Sequence, residues 1–180
     1  MEGVTKSRKK SGGSIYMKSI MTRKISIPFN KIGSNIESLM QRQIVNEIEG
    51  QCIIEGFVKP RSVNILKYTS GKVEGVNCIF EVMFEASICR PVEGMRFKCI
   101  VKNITKAGIR AETAEIISPV VIFIARDHYH TDKYFSTIKN DDIITIKVIG
   151  IRYELNDKYI SVIADLVKPK KKEKKKVLLE

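Results

Sequence analysis

The chain has no Cys-x-x-Cys pair, although four cysteines stand at 52, 78, 89 and 99. That spacing offers no zinc ribbon or redox dithiol, and each cysteine falls in a strand-like run. Buried, reduced thiols are the expectation, ahead of a zinc site or disulfides. Long apolar runs are missing too. The longest, Ile116 to Ala125, contains Ser118 and Pro119 and is too short to cross a bilayer. No signal-peptide pattern is recognisable, so a reducing interior compartment is expected, with no membrane partner. A Gly-rich phosphate loop, a His-Glu-x-x-His motif, a nucleophile elbow and a carboxylate cluster of metal-binding spacing are all absent. Gly12-Gly13 precedes no helix. Asp141-Asp142, and His128 and His130 around Tyr129, read as exposed polar loop. No catalytic residue, metal or cofactor is expected.

Charge is abundant but unevenly placed. Across 180 residues the net charge is +12. Residues 1–24 contribute +6 and residues 168–180 contribute +5, which leaves +1 for residues 25–167. The expected folded body is nearly neutral, and the basicity belongs to the ends. Such tails attract a phosphate backbone without reading sequence. Lys170, Lys171, Lys172, Lys174, Lys175 and Lys176 are the candidates for that contact. Solubility, or a nuclear-import signal in the same lysines, explains them equally well.

Hydrophobic content of 43% supports a packed core. Residues 1–20 read as a basic flexible leader. From Ile25 the pattern changes: Ile25, Ile27 and Phe29 alternate as a strand, and a loop runs through Asn30 to Gly33. Ser34 and Glu37 make a capping box. Ile36, Met40, Ile44 and Ile48 then recur every four residues, which predicts an amphipathic helix ended by Gly50. Strands are expected at Cys52–Val58, Ser62–Tyr68 and Val76–Ile88, with a turn at Thr69 to Lys72. Residues 21–90 therefore read as an α+β domain, one helix on an antiparallel sheet.

Arg90-Pro91-Val92-Glu93-Gly94 reads as a joint. Beyond it, Phe97, Cys99 and Val101 alternate with Arg96, Lys98 and Lys102, a strand with one buried and one basic face. The phase breaks between Asn103 and Gly108 and resumes at Ile109, as expected where glycine lets a small barrel turn a corner. Strands are expected at Met95–Asn103, Gly108–Ala114, Val120–Ala125, Ile143–Ile151 and Tyr159–Val167. Asp127–Asp142 is expected as a polar loop, and Asn156-Asp157 as the last hairpin turn. Five strands in residues 91–167 match an oligonucleotide-binding (OB) barrel. Residues 168–180 form the Lys-rich tail.

Taken in order, these parts resemble one family: the larger stalk subunit of multisubunit RNA polymerases, which comprises the seventh subunit of RNA polymerase II and its archaeal counterpart. Ile25–Gly33 resembles the family's first strand and tip loop. Val45-Asn46-Glu47-Ile48-Glu49-Gly50-Gln51-Cys52 resembles its helix end. Phe80–Glu93 and Lys98–Ala111 are similar to the last strand of its first domain and its first two barrel strands. Gly150-Ile151-Arg152-Tyr153-Glu154-Leu155-Asn156-Asp157 is similar to its last hairpin. The resemblance covers residues 21–167 and leaves both basic tails outside. Abundant Ile and Lys are compatible with an AT-rich genome, and the divergence with a large DNA virus.

The resemblance implies a non-catalytic subunit that supports transcription initiation, in a nucleus or a cytoplasmic viral factory. Its partners would be core polymerase subunits, a smaller stalk subunit and nascent RNA. Pro28, Phe29, Ile32 and Gly33 would form the loop that inserts into the core. Phe29 and Ile32 covering their own helix is the alternative. On the barrel, Lys98, Lys106, Arg110, Arg126 and Arg152 would meet RNA phosphates, with Tyr129 and Tyr153 beside them; each is also readable as ordinary surface. Ile109 stands where the family often has a base-stacking aromatic. A competing function is a stand-alone OB-fold adaptor in translation or RNA decay. Such an adaptor has no need of the strand–loop–helix tip.

Overall fold

The computed structural model describes residues 15–33, 35–129 and 133–168. The first lobe is built on one long central strand. Strand β6 (Asn77–Cys89) pairs along its whole length with β1 (Tyr16–Pro28), from Tyr16 opposite Cys89 to Pro28 opposite Asn77. Its other edge is shared by β3 (Gly56–Val58), β4 (Asn64–Tyr68) and β5 (Lys72–Glu74), and β2 (Cys52–Ile53) extends the sheet beyond β3. Phe80, Val82, Phe84, Ala86 and Ile88 of β6 alternate inward, as the pleat requires. Helix α1 (Ile36–Ile48) covers that face with Met40, Ile44 and Ile48, which are buried against Met21, Ile25 and Ile27 of β1.

Several boundaries differ from the sequence reading. β1 starts at Tyr16, inside the stretch expected as leader, because Met21 and the half-buried Tyr16 still have a core to pack on. The expected strand over residues 52–58 is a hairpin, β2 and β3. A further hairpin, β5 with the start of β6, turns at Gly75 (φ 62°). Ser34 of the capping box lies outside the described residues; α1 begins after Asn35. The end of α1 is locked differently. The Glu49 carboxylate accepts from the main-chain N–H groups of Arg61 (2.7 Å), Ser62 (3.0 Å) and Val63 (3.0 Å), tying the helix end to the β3–β4 turn.

The second lobe is a closed five-stranded barrel. It comprises β7 (Arg96–Ile104), β8 (Gly108–Glu112), β9 (Val120–Ala125), β10 (Ile143–Arg152) and β11 (Ile160–Val167). Their order is β10-β11-β9-β8-β7, with β7 returning to β10. β9 and β11 run parallel and the other pairs antiparallel. This is the architecture of an OB barrel, so the chain is α+β, a one-helix sheet lobe followed by an all-β barrel. Gly108 has φ 154°, and a Cβ there would stand 2.1 Å from the Ile124 carbonyl oxygen. Only glycine fits where β8 passes β9 so closely. The expected polar loop carries a short helix, α2 (Lys133–Thr137), whose Phe135 is buried, with Ile138 just beyond it, in the barrel core.

Cys52, Phe57 and Cys89 of the first sheet belong to the barrel's apolar cluster, so the lobes share a core. A main-chain pair crosses the same boundary, between Cys52 and the Asn156-Asp157 turn.

Candidate docking tip and nucleic-acid face

Strand β1 ends at Pro28, and the chain leaves the sheet in a single 3₁₀ turn, Phe29–Lys31. The Phe29 N–H donates to the Val76 carbonyl (3.0 Å), which ties this turn to the β5–β6 hairpin. Between them lies an open cavity of 730 Å³ lined by Pro28, Phe29, Asn30, Val73, Gly75, Val76 and Asn77. Phe29, Val73 and Val76 are 62%, 61% and 80% exposed. Phe29 is not part of the core that α1 covers. Ile32 and Gly33 share the loop but do not line the cavity. Val73 and Val76 were not singled out from the sequence; their hairpin is short and its strand β5 fully exposed.

On the barrel, the expected RNA residues are dispersed. Lys98 lies on the outward face of β7, and Lys106 in the exposed β7–β8 turn. Arg110 projects from β8 and pairs with Glu112 at 3.1 Å. Arg126 donates to the Thr105 carbonyl and stands over the Phe135 ring. Arg152 pairs with Glu154 at 3.4 Å. The two tyrosines are engaged inside the fold. Tyr129 stacks on Phe135 (centroids 5.3 Å apart), its hydroxyl donates to Asp165 at 3.1 Å, and it accepts from the Leu166 N–H. Tyr153 donates to the Ile54 carbonyl across the lobe boundary at 3.1 Å. Lys170 to Lys176 lie outside the described residues.

Ile109 is 2% exposed and faces the barrel core. No ring at that position could stack on a base. The exposed ring in this neighbourhood is Phe123, which is 46% exposed in the middle of β9. Register sets Phe123 beside Arg110 on β8 and Ile163 on β11, and Ile163 beside Gly150 on β10. The row is flanked by exposed Ile149. A ring, a guanidinium and aliphatic neighbours on one face are the components of a base-stacking platform with a phosphate contact. Parity would have found Phe123: Val120, Ile122 and Ile124 face inward, so Phe123 must face out.

The four cysteines are buried and free. Burial pushes the Cys52 thiol up to about 11, and the Cys89 and Cys99 thiols to about 12. Among the described residues no group of three or more His, Cys, Asp or Glu side chains is arranged to hold a metal ion. No described helix is long and apolar enough to cross a membrane.

No protein-family model matches the chain. Over 171 residues it is 26% identical to a putative DNA-directed RNA polymerase subunit of Acanthamoeba polyphaga mimivirus, covering 86% of this chain and 83% of that protein. Over 144 residues it is 26% identical to the DNA-directed RNA polymerase II subunit rpb7 of Dictyostelium discoideum, covering 69% and 80%.

Proposed function

We propose that the chain, similar to two DNA-directed RNA polymerase subunits, is a divergent larger stalk subunit that docks on its polymerase through the first lobe while the barrel contacts emerging RNA. On this reading it is an accessory subunit, without catalysis of its own. The observation that carries the docking reading is the tip. Phe29, Val73 and Val76 surround an open cavity at the end of the sheet remote from the barrel, where they do nothing for the chain's own core. Exposed aliphatic and aromatic side chains around a concavity are the usual anchors of a protein interface. Pro28, Phe29, Ile32 and Gly33 supply one side of the tip and the β5–β6 hairpin the other.

RNA contact is supported by the Phe123–Arg110–Ile163 row, with a role in initiation following from the stalk position. A smaller stalk subunit remains a candidate partner. Localisation follows the polymerase, to a nucleus or a viral factory. Purification of the intact tagged protein from its native source tests the reading. Recovery of the large polymerase subunits is expected; a preparation without them would leave a free-standing RNA-binding adaptor as the better account.

A further inference from the structure

Strand β1 forms one edge of the first sheet, and among the described residues no strand lies beyond it. Its pairing with β6 runs through 13 residues without a bulge. The Phe29 N–H bonds to Val76 one step past the Pro28–Asn77 pair, so the odd-numbered residues of β1 bond to β6. The far edge of β6 agrees: Glu81 and Ser87 accept there from Thr69 and Lys59, which leaves the even-numbered residues of β6 for β1. The N–H and C=O groups of Lys18, Ile20, Thr22, Lys24 and Ser26 therefore point away from the sheet. Helix α1 touches β1 and β4, on either side of β6, so it crosses the middle of the sheet and leaves this edge open.

Edge strands are normally guarded by proline, bulges or unmatched charge. In β1 the proline comes last, and each of its three cations is matched. Lys18 pairs with Glu85 at 2.8 Å, Arg23 with Glu55 at 3.6 Å and Lys24 with Glu81 at 3.6 Å. Met17 and Ile20 on the same strand are 64% and 63% exposed. The edge is thus open, neutral and partly apolar, a template for strand addition.

A second copy of the chain fits it. Antiparallel pairing about a two-fold axis through Thr22, the midpoint of β1, uses all 13 residues. Thr22 then meets Thr22 of the second copy, a favourable cross-strand pair. Lys18 comes opposite Ser26, Ile20 opposite Lys24, Met21 opposite Arg23 and Met17 opposite Ile27, so no like charges meet. Slippage is penalised in both directions. Sliding one copy by two residues sets Lys18 opposite Lys24 one way and Arg23 opposite Arg23 the other. A slide by one residue puts the bonding groups out of phase and exchanges the faces. About ten main-chain bonds would form, the usual number for a specific interface.

We propose that the chain, free of other subunits, forms a two-fold dimer in which β1 pairs with β1 and two six-stranded sheets become one. The pairing does not rest on polymerase docking, because it uses the edge of the sheet and not the Phe29–Val76 tip.

Sedimentation of the full chain over a concentration series should show a monomer–dimer equilibrium. Thr22→Pro removes an outward N–H that the fold does not use, and with it two bonds per dimer. The dissociation constant should rise roughly 5- to 150-fold, with little change in Tm. Thr22→Cys tests the register directly. Residues bonded to each other in this way have Cα atoms about 5.5 Å apart, within disulfide reach. Mild oxidation should link Thr22→Cys into a covalent dimer on a non-reducing gel. Ser26→Cys, on the same edge but opposite Lys18, should not link to itself. The native cysteines are buried and do not compete. A monomer at every concentration overturns the proposal. So does a dimer indifferent to Thr22→Pro, or Ser26→Cys linking as readily as Thr22→Cys. Should the free chain stay monomeric while Thr22→Cys links to another subunit in material from the native source, the edge belongs to that subunit and the proposal falls.

Discussion

Cys52 and Asp157 share a main-chain hydrogen bond of 2.8 Å, N–H to carbonyl, that joins the sheet lobe to the barrel's last hairpin. The Asn156 N–H returns the bond to the Cys52 carbonyl at 2.9 Å. Tyr153 reaches past them to the Ile54 carbonyl. The hairpin resembling the family's last turn thus clasps the two lobes. Tyr153→Phe keeps the ring and removes only that bond. It should cost about 0.5–1.5 kcal/mol and lower the Tm by a few degrees. RNA affinity should not change. A thermal melt and an anisotropy titration read both; an unaltered Tm would show that Tyr153 is no part of the clasp.

Gly108→Ala should be far more damaging than its size suggests. At φ 154° an L side chain is strained by about 1–3 kcal/mol, and the new Cβ would press on the Ile124 carbonyl. A marked fall in the urea midpoint is expected. A variant as stable as the parent would mean that β8 and β9 can move apart at no cost.

How much of this was legible varied with the range of the interactions. The four-residue spacing of Met40, Ile44 and Ile48 marked α1, and the glycine break marked the barrel corner, because both signals are local. Phe135 and Ile138 escaped notice: a five-residue helix has no usable periodicity, and burial in the barrel sustains it. The inward direction of Ile109 was readable from its alternation with Arg110. What no local pattern could supply was register. Arg110 beside Phe123, and Arg96 opposite Lys147, are neighbours only after the barrel closes.

The buried thiols set the alkaline limit of stability. The folded values for Cys52, Cys89 and Cys99 lie at about 11, 12 and 12, above the ordinary 9.0, so the native state holds protons that the unfolded chain releases. Their contribution is complete below pH 9 and is lost as pH rises through 9 to 12. Burial also raises the Tyr16 phenol, which acts in the same sense. Unfolding midpoints should fall steeply above about pH 9. Iodoacetamide should label these cysteines on unfolding and not before. Rapid labelling of the native protein at neutral pH would contradict their enclosure.

The tip can be tested apart from the fold. Phe29→Ser with Val76→Ser alters two exposed side chains, so stability should shift by no more than about 0.5 kcal/mol for each. Recovery of polymerase subunits with the tagged protein should fall sharply. Undiminished recovery would place the docking surface elsewhere, with the long β1 edge the next place to look.

Phe123 separates a binding role from a structural one. It is exposed, so Phe123→Ser should hardly change the Tm. A base stacked on the ring is worth about 1–3 kcal/mol, so single-stranded RNA affinity should fall by roughly 5- to 150-fold. Because stacking is uncharged, the loss should persist at high salt with the salt dependence unchanged. Ile109→Val provides the contrast: a core change worth about 0.5–1.5 kcal/mol of stability, with RNA affinity retained. If Phe123→Ser binds RNA as tightly as the parent, the exposed ring of Tyr159 becomes the remaining candidate platform on the barrel.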